Sequence, residues 1–87
     1  MTLTLQPVRV DTGGEDEDGL LVFNGTRLAA VLVRLSDQHQ DKAGQWYFEH
    51  GFGRLDGTKH PTFPDVEIAQ AWIAGRLAER SGFGRGA

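Results

Sequence analysis

An Asn-Gly pair between two apolar segments is the feature that most restricts the fold of this 87-residue chain. Residues 20–23 precede Asn24-Gly25, and residues 27–35 follow the pair. A type I′ turn needs positive φ at both central residues, and Asn-Gly adopts that conformation readily. Its backbone twist also matches that of two antiparallel strands. The sequence therefore predicts a β-hairpin that turns at Asn24-Gly25.

The second strand of this hairpin, over residues 27–35, is apolar on both of its faces. One alternating set is Ala29, Val31, Val33 and Leu35, and the other is Leu28, Ala30, Leu32 and Arg34. A strand that covers a core on one side needs only a single apolar face. The pattern predicts either a central strand covered on both sides or a strand whose second face meets a partner.

Further strands are predicted on both sides of the hairpin. Apolar residues recur in the N-terminal segment at Leu3, Leu5, Val8 and Val10, and Pro7 places that segment at a sheet edge. Residues 45–50 alternate between a set with Trp46, Phe48 and His50 and a set with Gln45, Tyr47 and Glu49. The Gly-rich stretch 51–58 then predicts a bulge or a tight loop.

A helix is predicted from Val66 to Arg80. Asp65 is a suitable N-cap after Pro64, and Ser81-Gly82 is expected to end the helix. The apolar stripe of this helix consists of Val66, Ala69, Trp72, Ile73 and Leu77. The sequence therefore predicts an α+β domain over residues 1–80, followed by a disordered tail at 81–87. Its architecture is a three- to four-stranded antiparallel β-meander with one C-terminal α-helix packed on one face.

One face of the predicted helix, opposite or beside its apolar stripe, has unusually small side chains. Gly75 lies there among Ala71, Ala74 and Ala78. Alanine needs no partner, because it is the best helix former, but glycine inside a helix costs about 1 kcal/mol relative to alanine. Gly75 is therefore a candidate for close helix packing or for contact with a partner.

Composition excludes several classes of protein. The chain has no cysteine, so it has no disulfide, thiolate metal site or thiol nucleophile. Its longest apolar run, residues 28–33, is far shorter than the roughly 20 residues of a membrane span. Its first ten residues do not resemble an export signal. We expect a cytoplasmic domain of bacterial type without a membrane partner.

Negative charge is concentrated in one loop. Residues 11–19 hold five of the twelve acidic residues and no base, although the net charge of the chain is only −3. The rest of the chain has seven acidic and nine basic residues and is mildly basic. The segment is predicted to be a solvated, mobile loop. The alternative is an acidic flap that competes with nucleic acid, whereas the spacing does not fit a calcium-binding EF-hand loop.

Catalytic and metal-binding patterns are weak. His39, His50 and His60 do not have the spacing of a metal clamp, so we expect neither a metal nor another cofactor. Glu49, His50 and Asp56 would act as a small catalytic site only if the fold brought them into one pocket. The sequence favours a protein that is not an enzyme.

Residues 46–79 resemble the core of a WGR domain. A strand is followed by the sequence Gly-Phe-Gly-Arg-Leu-Asp-Gly at 51–57, by Phe-Pro-Asp at 63–65, and then by a helix. Phe52-Gly53-Arg54 stands where that family has Trp-Gly-Arg, with Phe in place of Trp. The resemblance implies that Arg54 contacts nucleic acid or a partner. The rest of the chain is similar to small bacterial proteins of unassigned function.

These patterns predict a non-enzymatic protein–protein interaction module, with self-association as a homodimer included. One helix covers one face of a sheet, so the other face is either folded over by the N-terminal segment or acidic loop, or available to a partner. The candidate contact residues are Phe52, Arg54, Tyr47, Arg34, Leu28 and Leu32. The alternatives are a nucleic-acid-binding module that uses the aromatic–Arg loop, because aromatic rings stack bases and arginine binds phosphate, and a small enzyme.

Overall fold

Every strand pairs with its neighbour in the sequence, which produces an open antiparallel meander. The computed structural model describes residues 3–14, 16–36 and 41–83. Its elements are β1 (Leu3–Arg9), β2 (Asp18–Asn24), β3 (Arg27–Arg34), β4 (Trp46–Gly51), a 3₁₀ turn (Gly53–Leu55), β5 (Thr62–Phe63) and α1 (Val66–Phe83). The predicted α+β fold with one C-terminal helix is confirmed. The sheet has five strands rather than three to four, because the two-residue β5 is too short to show alternation.

The predicted hairpin joins β2 and β3. Asn24 is the last residue of β2 and pairs with Arg27, so the two turn residues are Gly25 and Thr26, one position later than the predicted Asn24-Gly25. Gly25 has a φ of 67°, the left-handed conformation that favours glycine. The local turn chemistry therefore sets the pairing of the two central strands.

Two β-bulges break the alternation that the sequence suggests. Val22 pairs with Ala30 but Phe23 pairs with Leu28, so Ala29 is an extra residue in β3. In the same way, Glu49 is an extra residue in β4, between Phe48 and His50. Each bulge moves the residues beyond it to the other face of the sheet. The prediction that Leu28 shares a face with Leu32 is therefore wrong.

The hydrophobic core lies between the sheet and α1. Its buried members are Val22, Ala29, Ala30, Leu32, Phe48, Leu55, Phe63, Ala69, Ile73 and Leu77. The ring of Trp72 contacts Phe48 and Phe63, at centroid distances of 5.4 and 5.5 Å. The helix stripe of the sequence analysis is confirmed at Ala69, Ile73 and Leu77, which are buried, while Val66 and Trp72 are half-buried.

The helix begins where the sequence predicts and ends later. The backbone N–H of Ile68 donates to Asp65 Oδ1 at 2.8 Å, which is the expected N-cap. The helix continues to Phe83, so the predicted end at Ser81-Gly82 is wrong. Glycine weakens a helix interior but stops a helix only where the chain turns left-handed. The rest of the predicted tail, residues 84–87, lies outside the described residues.

Gly75 has no packing role within the described chain. A Cβ added to Gly75 would meet no atom within 4 Å, and Ala71 and Ala78 beside it are also exposed. The prediction that Gly75 packs against the chain's own backbone is therefore wrong, and a contact with a partner stays a prediction.

Replacing Gly75 by alanine is expected to raise the free energy of unfolding by about 0.5–1 kcal/mol, because the helix loses its least favourable interior residue without a clash. Urea denaturation followed by circular dichroism measures the change. A loss of stability would contradict the open environment of this position.

Candidate functional site

The sheet face opposite α1 is the main candidate for a binding surface. Leu32 lies in the core, so its neighbours Val31 and Val33 point to the other face. Strand register places further residues beside them. We call the following set the open face: Thr4, Gln6, Val8, Gly19, Leu21, Phe23, Leu28, Val31, Val33, Tyr47 and His50. Among the described residues, no helix or strand lies over it, since α1 packs on the opposite side.

The acidic loop, of which the structure describes residues 11–14, 16 and 17, lies at one end of the open face. The backbone N–H of Ser36 donates to Asp16 Oδ1 at 2.9 Å, and this bond attaches the loop to the end of β3. Val10 Cγ2 lies only 2.6 Å from the place that a Cβ of Gly19 would take. Val33, beside Gly19, is consequently 1% exposed. Part of the predicted covering by the N-terminal segment is therefore present.

The acidic loop is held at its base as well. Arg9 Nη2 lies 2.6 Å from Glu17 Oε1, and Val10 N–H donates to the Glu17 carbonyl at 2.7 Å. Inside the loop, Thr12 Oγ1 accepts from Gly14 N–H and donates to the Asp16 carbonyl, both at 3.2 Å. These bonds give the loop a defined shape, although residues 11–14 remain exposed to solvent.

A cleft of about 350 Å³ separates the acidic loop from the open face. Its lining residues are Thr12, Asp16, Val33, Leu35, Lys42, Tyr47, Glu49 and Thr62. The floor is apolar, and the rim has two carboxylates and one ammonium group. We call this region the acidic end of the open face.

Beyond the cleft, the middle of the open face is only partly covered. Leu21, Phe23, Leu28 and Val31 are half-buried by their neighbours on the sheet. These positions belong to the two central strands, where apolar side chains from both strands lie in rows. The middle is therefore the most hydrophobic accessible part of this face.

The opposite end of the sheet, beside α1, has basic and aromatic side chains. A second pocket of about 360 Å³ there is lined by residues that include Arg27, Phe52 and Arg54, together with the core residues Ala29 and Leu77. Phe52 is 41% exposed, and its ring meets that of His50 at a centroid distance of 4.5 Å. We call this region the basic end.

Arg54 supports the fold in addition to lining the basic end. Its Nη1 donates to the backbone carbonyl of Leu77 at 3.1 Å, which ties the 3₁₀ turn to the last part of α1. Nothing in the sequence pattern indicates this bond, because it joins residues 23 positions apart. The guanidinium is thus held in place at the rim of the pocket.

The predicted contact residues separate into two groups. Leu28 and Tyr47 lie on the open face, whereas Phe52 and Arg54 line the pocket at the basic end, beside α1. Leu32 is 0% exposed beneath α1, so its predicted place on an accessible surface is wrong. Arg34 pairs with Trp46 rather than with Tyr47, which puts it on the helix side of the sheet. The sequence shows two apolar faces on β3 but does not indicate which one the helix covers.

The residues of the open face that were missed at the level of sequence include Leu21, Phe23 and Val31. The apolar run 20–23 has no polar residue that would separate its two faces. Only the register with β3 assigns Leu21 and Phe23 to the open face.

The candidate catalytic residues do not share the cleft at the acidic end. Glu49 lines this cleft, whereas the ring of His50 packs against Phe52 and Asp56 is exposed near the 3₁₀ turn. His60 Nδ1 lies 2.7 Å from the Phe48 carbonyl, and its ring stacks on Tyr47. His39 lies outside the described residues.

Neither a metal cluster nor a membrane helix is found in the described part of the chain. Within residues 3–14, 16–36 and 41–83, no three His, Asp or Glu side chains are grouped so that they could hold a metal ion. The helix in that part is not long and apolar enough to cross a membrane.

No family model matches the chain, and neither a curated protein nor a solved structure matches it. The resemblance of residues 46–79 to a WGR domain therefore stays a prediction. The function of this protein is therefore inferred from the side chains of the open face and from the pockets at the acidic end and the basic end.

Proposed function

We propose that this protein is a non-enzymatic protein–protein interaction module that binds its partner through the open face. The observation that supports the proposal is the uncovered middle of this face, where Leu21, Phe23 and Val31 lie half-buried. Contiguous apolar surface of this kind marks interaction sites, because its removal from water is favourable.

Binding through the face is favoured over pairing at an edge of the sheet. At one edge, β1 contains Pro7, which has no backbone N–H to donate to a further strand. At the other edge, β5 has only two residues. Both edges are poor templates for strand addition, whereas the face offers side chains from three neighbouring strands.

The proposal is tested by photocrosslinking in cells that make the protein. Phe23, on the open face, is replaced by p-benzoylphenylalanine, which conserves an aromatic ring at that position. The matched control has the same photoreactive residue at Ala71, which is exposed on α1. We expect a covalent adduct with a polypeptide from position 23 and none from position 71.

Either a second copy of the chain or a different polypeptide in the adduct supports the proposed function, and mass spectrometry distinguishes them. Thermal unfolding of each variant shows whether it is folded. A folded variant that forms no adduct from position 23, or that forms equal adducts from both positions, contradicts the proposal.

A second candidate function is nucleic-acid binding at the basic end. It is favoured by the exposed ring of Phe52 beside the guanidinium groups of Arg27 and Arg54. Aromatic rings stack on unpaired bases, and arginine side chains bind phosphate groups. The resemblance to a WGR domain points to the same loop.

Titration of fluorescent single- and double-stranded oligonucleotides tests this second function. We expect binding at low salt that weakens steeply as salt rises, and that weakens further in Phe52→Ala. The control is Ile68→Ala, which removes an exposed apolar side chain from α1 instead. Absence of binding at low salt would exclude this function.

A further inference from the structure

The cleft at the acidic end has the composition of a ligand site. Its volume of about 350 Å³ lies in the range of small-molecule pockets, which are mostly apolar with a few polar groups. Val33 and Leu35 lie on its floor, and the carboxylates of Asp16 and Glu49 are on its rim. Because Val33 and Tyr47 belong both to this cleft and to the open face, the cleft is continuous with the proposed binding surface.

A β-bulge adds Glu49 to the lining of this cleft. Glu49 is the extra residue of β4, between Phe48, which is in the core, and His50, which lies on the open face. Bulges change the direction of a side chain and are common next to active sites. The bulge therefore gives the cleft a carboxylate while Phe48 keeps its place in the core.

The carboxylate of Glu49 has no cationic partner among residues 3–14, 16–36 and 41–83. The ion pairs in that part of the chain join Arg9 to Glu17 and Arg9 to Asp18, at the base of the acidic loop. Glu49 is half-buried, and a charge that is partly removed from water interacts more strongly with an opposite charge. Glu49 therefore offers the cleft a strong acceptor for a cationic ligand.

The charges around the cleft together favour a cation. Asp16 and Glu49 are half-buried, whereas Lys42, which supplies the ammonium group of the lining, is exposed. Salt and water screen an exposed charge more than a partly buried one, so the two carboxylates outweigh the ammonium group. The acidic loop adds the exposed carboxylate of Asp11 at the same end.

We propose that this cleft binds the side chain of a lysine or arginine that the partner polypeptide presents beside the open face. This inference rests on the proposed function and gives the chemistry of the partner's contact. Lysine and arginine have an apolar stem and a charged head. The stem suits the floor of Val33 and Leu35, and the head reaches the rim at Glu49. Tyr47 also lines the cleft, and an aromatic ring attracts the same cation.

The position of the cleft favours a side chain of the partner over a free small cation. Val31 in the middle of the open face and Val33 in the cleft are successive residues on one face of β3, roughly 7 Å apart. A polypeptide that covers the middle therefore brings its own side chains to the cleft. Its cationic contact is then effectively intramolecular, which strengthens an interaction that a free amine would make only weakly.

Disulfide tethering tests the charge preference of the cleft. The chain has no cysteine, so Thr62→Cys puts a single thiol in the lining. This variant is equilibrated with equal concentrations of cysteamine, which is cationic, and 3-mercaptopropionate, which is anionic, and mass spectrometry measures the two mixed disulfides. We expect the ratio of cationic to anionic adduct to be about ten times that of the control Ala71→Cys, on the exposed side of α1. Adding Glu49→Gln to Thr62→Cys should remove most of this difference.

Photocrosslinking from position 23 tests whether the cation belongs to the partner polypeptide. We expect Glu49→Gln to lower the yield of the adduct about fivefold, because the partner loses its charged contact. The matched control Glu67→Gln removes an exposed carboxylate from α1 and should leave the yield unchanged. Thermal unfolding shows that each variant is folded.

A ratio at position 62 that equals that of the control, or that does not respond to Glu49→Gln, overturns the inference. The proposed function survives that result if position 23 still forms its adduct, and it fails if no adduct forms. A cationic preference at position 62 combined with an unchanged crosslink yield in Glu49→Gln shows that the cleft takes a free organic cation instead, which also overturns the inference.

Discussion

Replacing Phe48 by alanine is expected to lower the free energy of unfolding by about 3–5 kcal/mol. Phe48 is 0% exposed in the centre of the core, and its ring meets Trp72 edge-on at a centroid distance of 5.4 Å. Truncation removes buried apolar surface and leaves a cavity that α1 and β4 cannot fully close. Domains are stable by only about 5–15 kcal/mol, so the loss is a large part of the total.

Urea denaturation followed by tryptophan fluorescence measures this loss. The matched control is Phe52→Ala, because Phe52 is 41% exposed at the basic end. We expect the control to change stability by less than about 1 kcal/mol. Similar losses for the two variants would contradict the position of Phe48 in the core.

Replacing Gly51 by alanine is expected to lower the free energy of unfolding by about 3 kcal/mol, at the upper end of the range for overpacking. A Cβ at this position would lie 2.6 Å from the Leu55 carbonyl oxygen, 2.7 Å from Leu55 Cβ and 2.8 Å from Phe48 Cζ. Two of these atoms belong to or adjoin the backbone of the 3₁₀ turn. The strand and the turn must therefore move apart.

The matched control for Gly51→Ala is Gly75→Ala, since the added methyl group is the same and nothing lies within 4 Å of it. We expect opposite signs for the two substitutions, measured by the same urea denaturation. A stable Gly51→Ala variant would show that the turn does not approach β4 as closely as this structure has it.

Features that depend on a few neighbouring residues were predictable from the sequence. The hairpin near Asn24-Gly25, the cap at Asp65 and the apolar stripe of α1 all follow from local conformational preferences and from side-chain spacing. The structure has the cap and the stripe where the sequence predicts them, and it has the hairpin turn one residue later, at Gly25-Thr26. Local signals act over three or four residues, so distant contacts rarely change them.

Features of the candidate site were predictable only in part. The sequence indicates that β3 has two apolar faces and that one helix covers a single face. It also indicates Phe52 and Arg54 as contact residues, and the structure puts both at the basic end, in a pocket that Leu77 of α1 also lines. Leu32 and Arg34 were assigned to the wrong face of the sheet. An alternating pattern separates two sets of side chains but does not indicate which set faces the core, and here that depends on where α1 packs.

The sequence by itself determined the class of the fold, the turn between the central strands, the start of the helix and the surplus of apolar positions on β3. Only the tertiary structure decided which of those positions face the helix. The bulges at Ala29 and Glu49 shift the alternation by one residue, and they arise from pairing between strands rather than from the residues themselves. The same pairing places Leu21, Val31 and Tyr47 on one face, although these residues are widely separated in the chain.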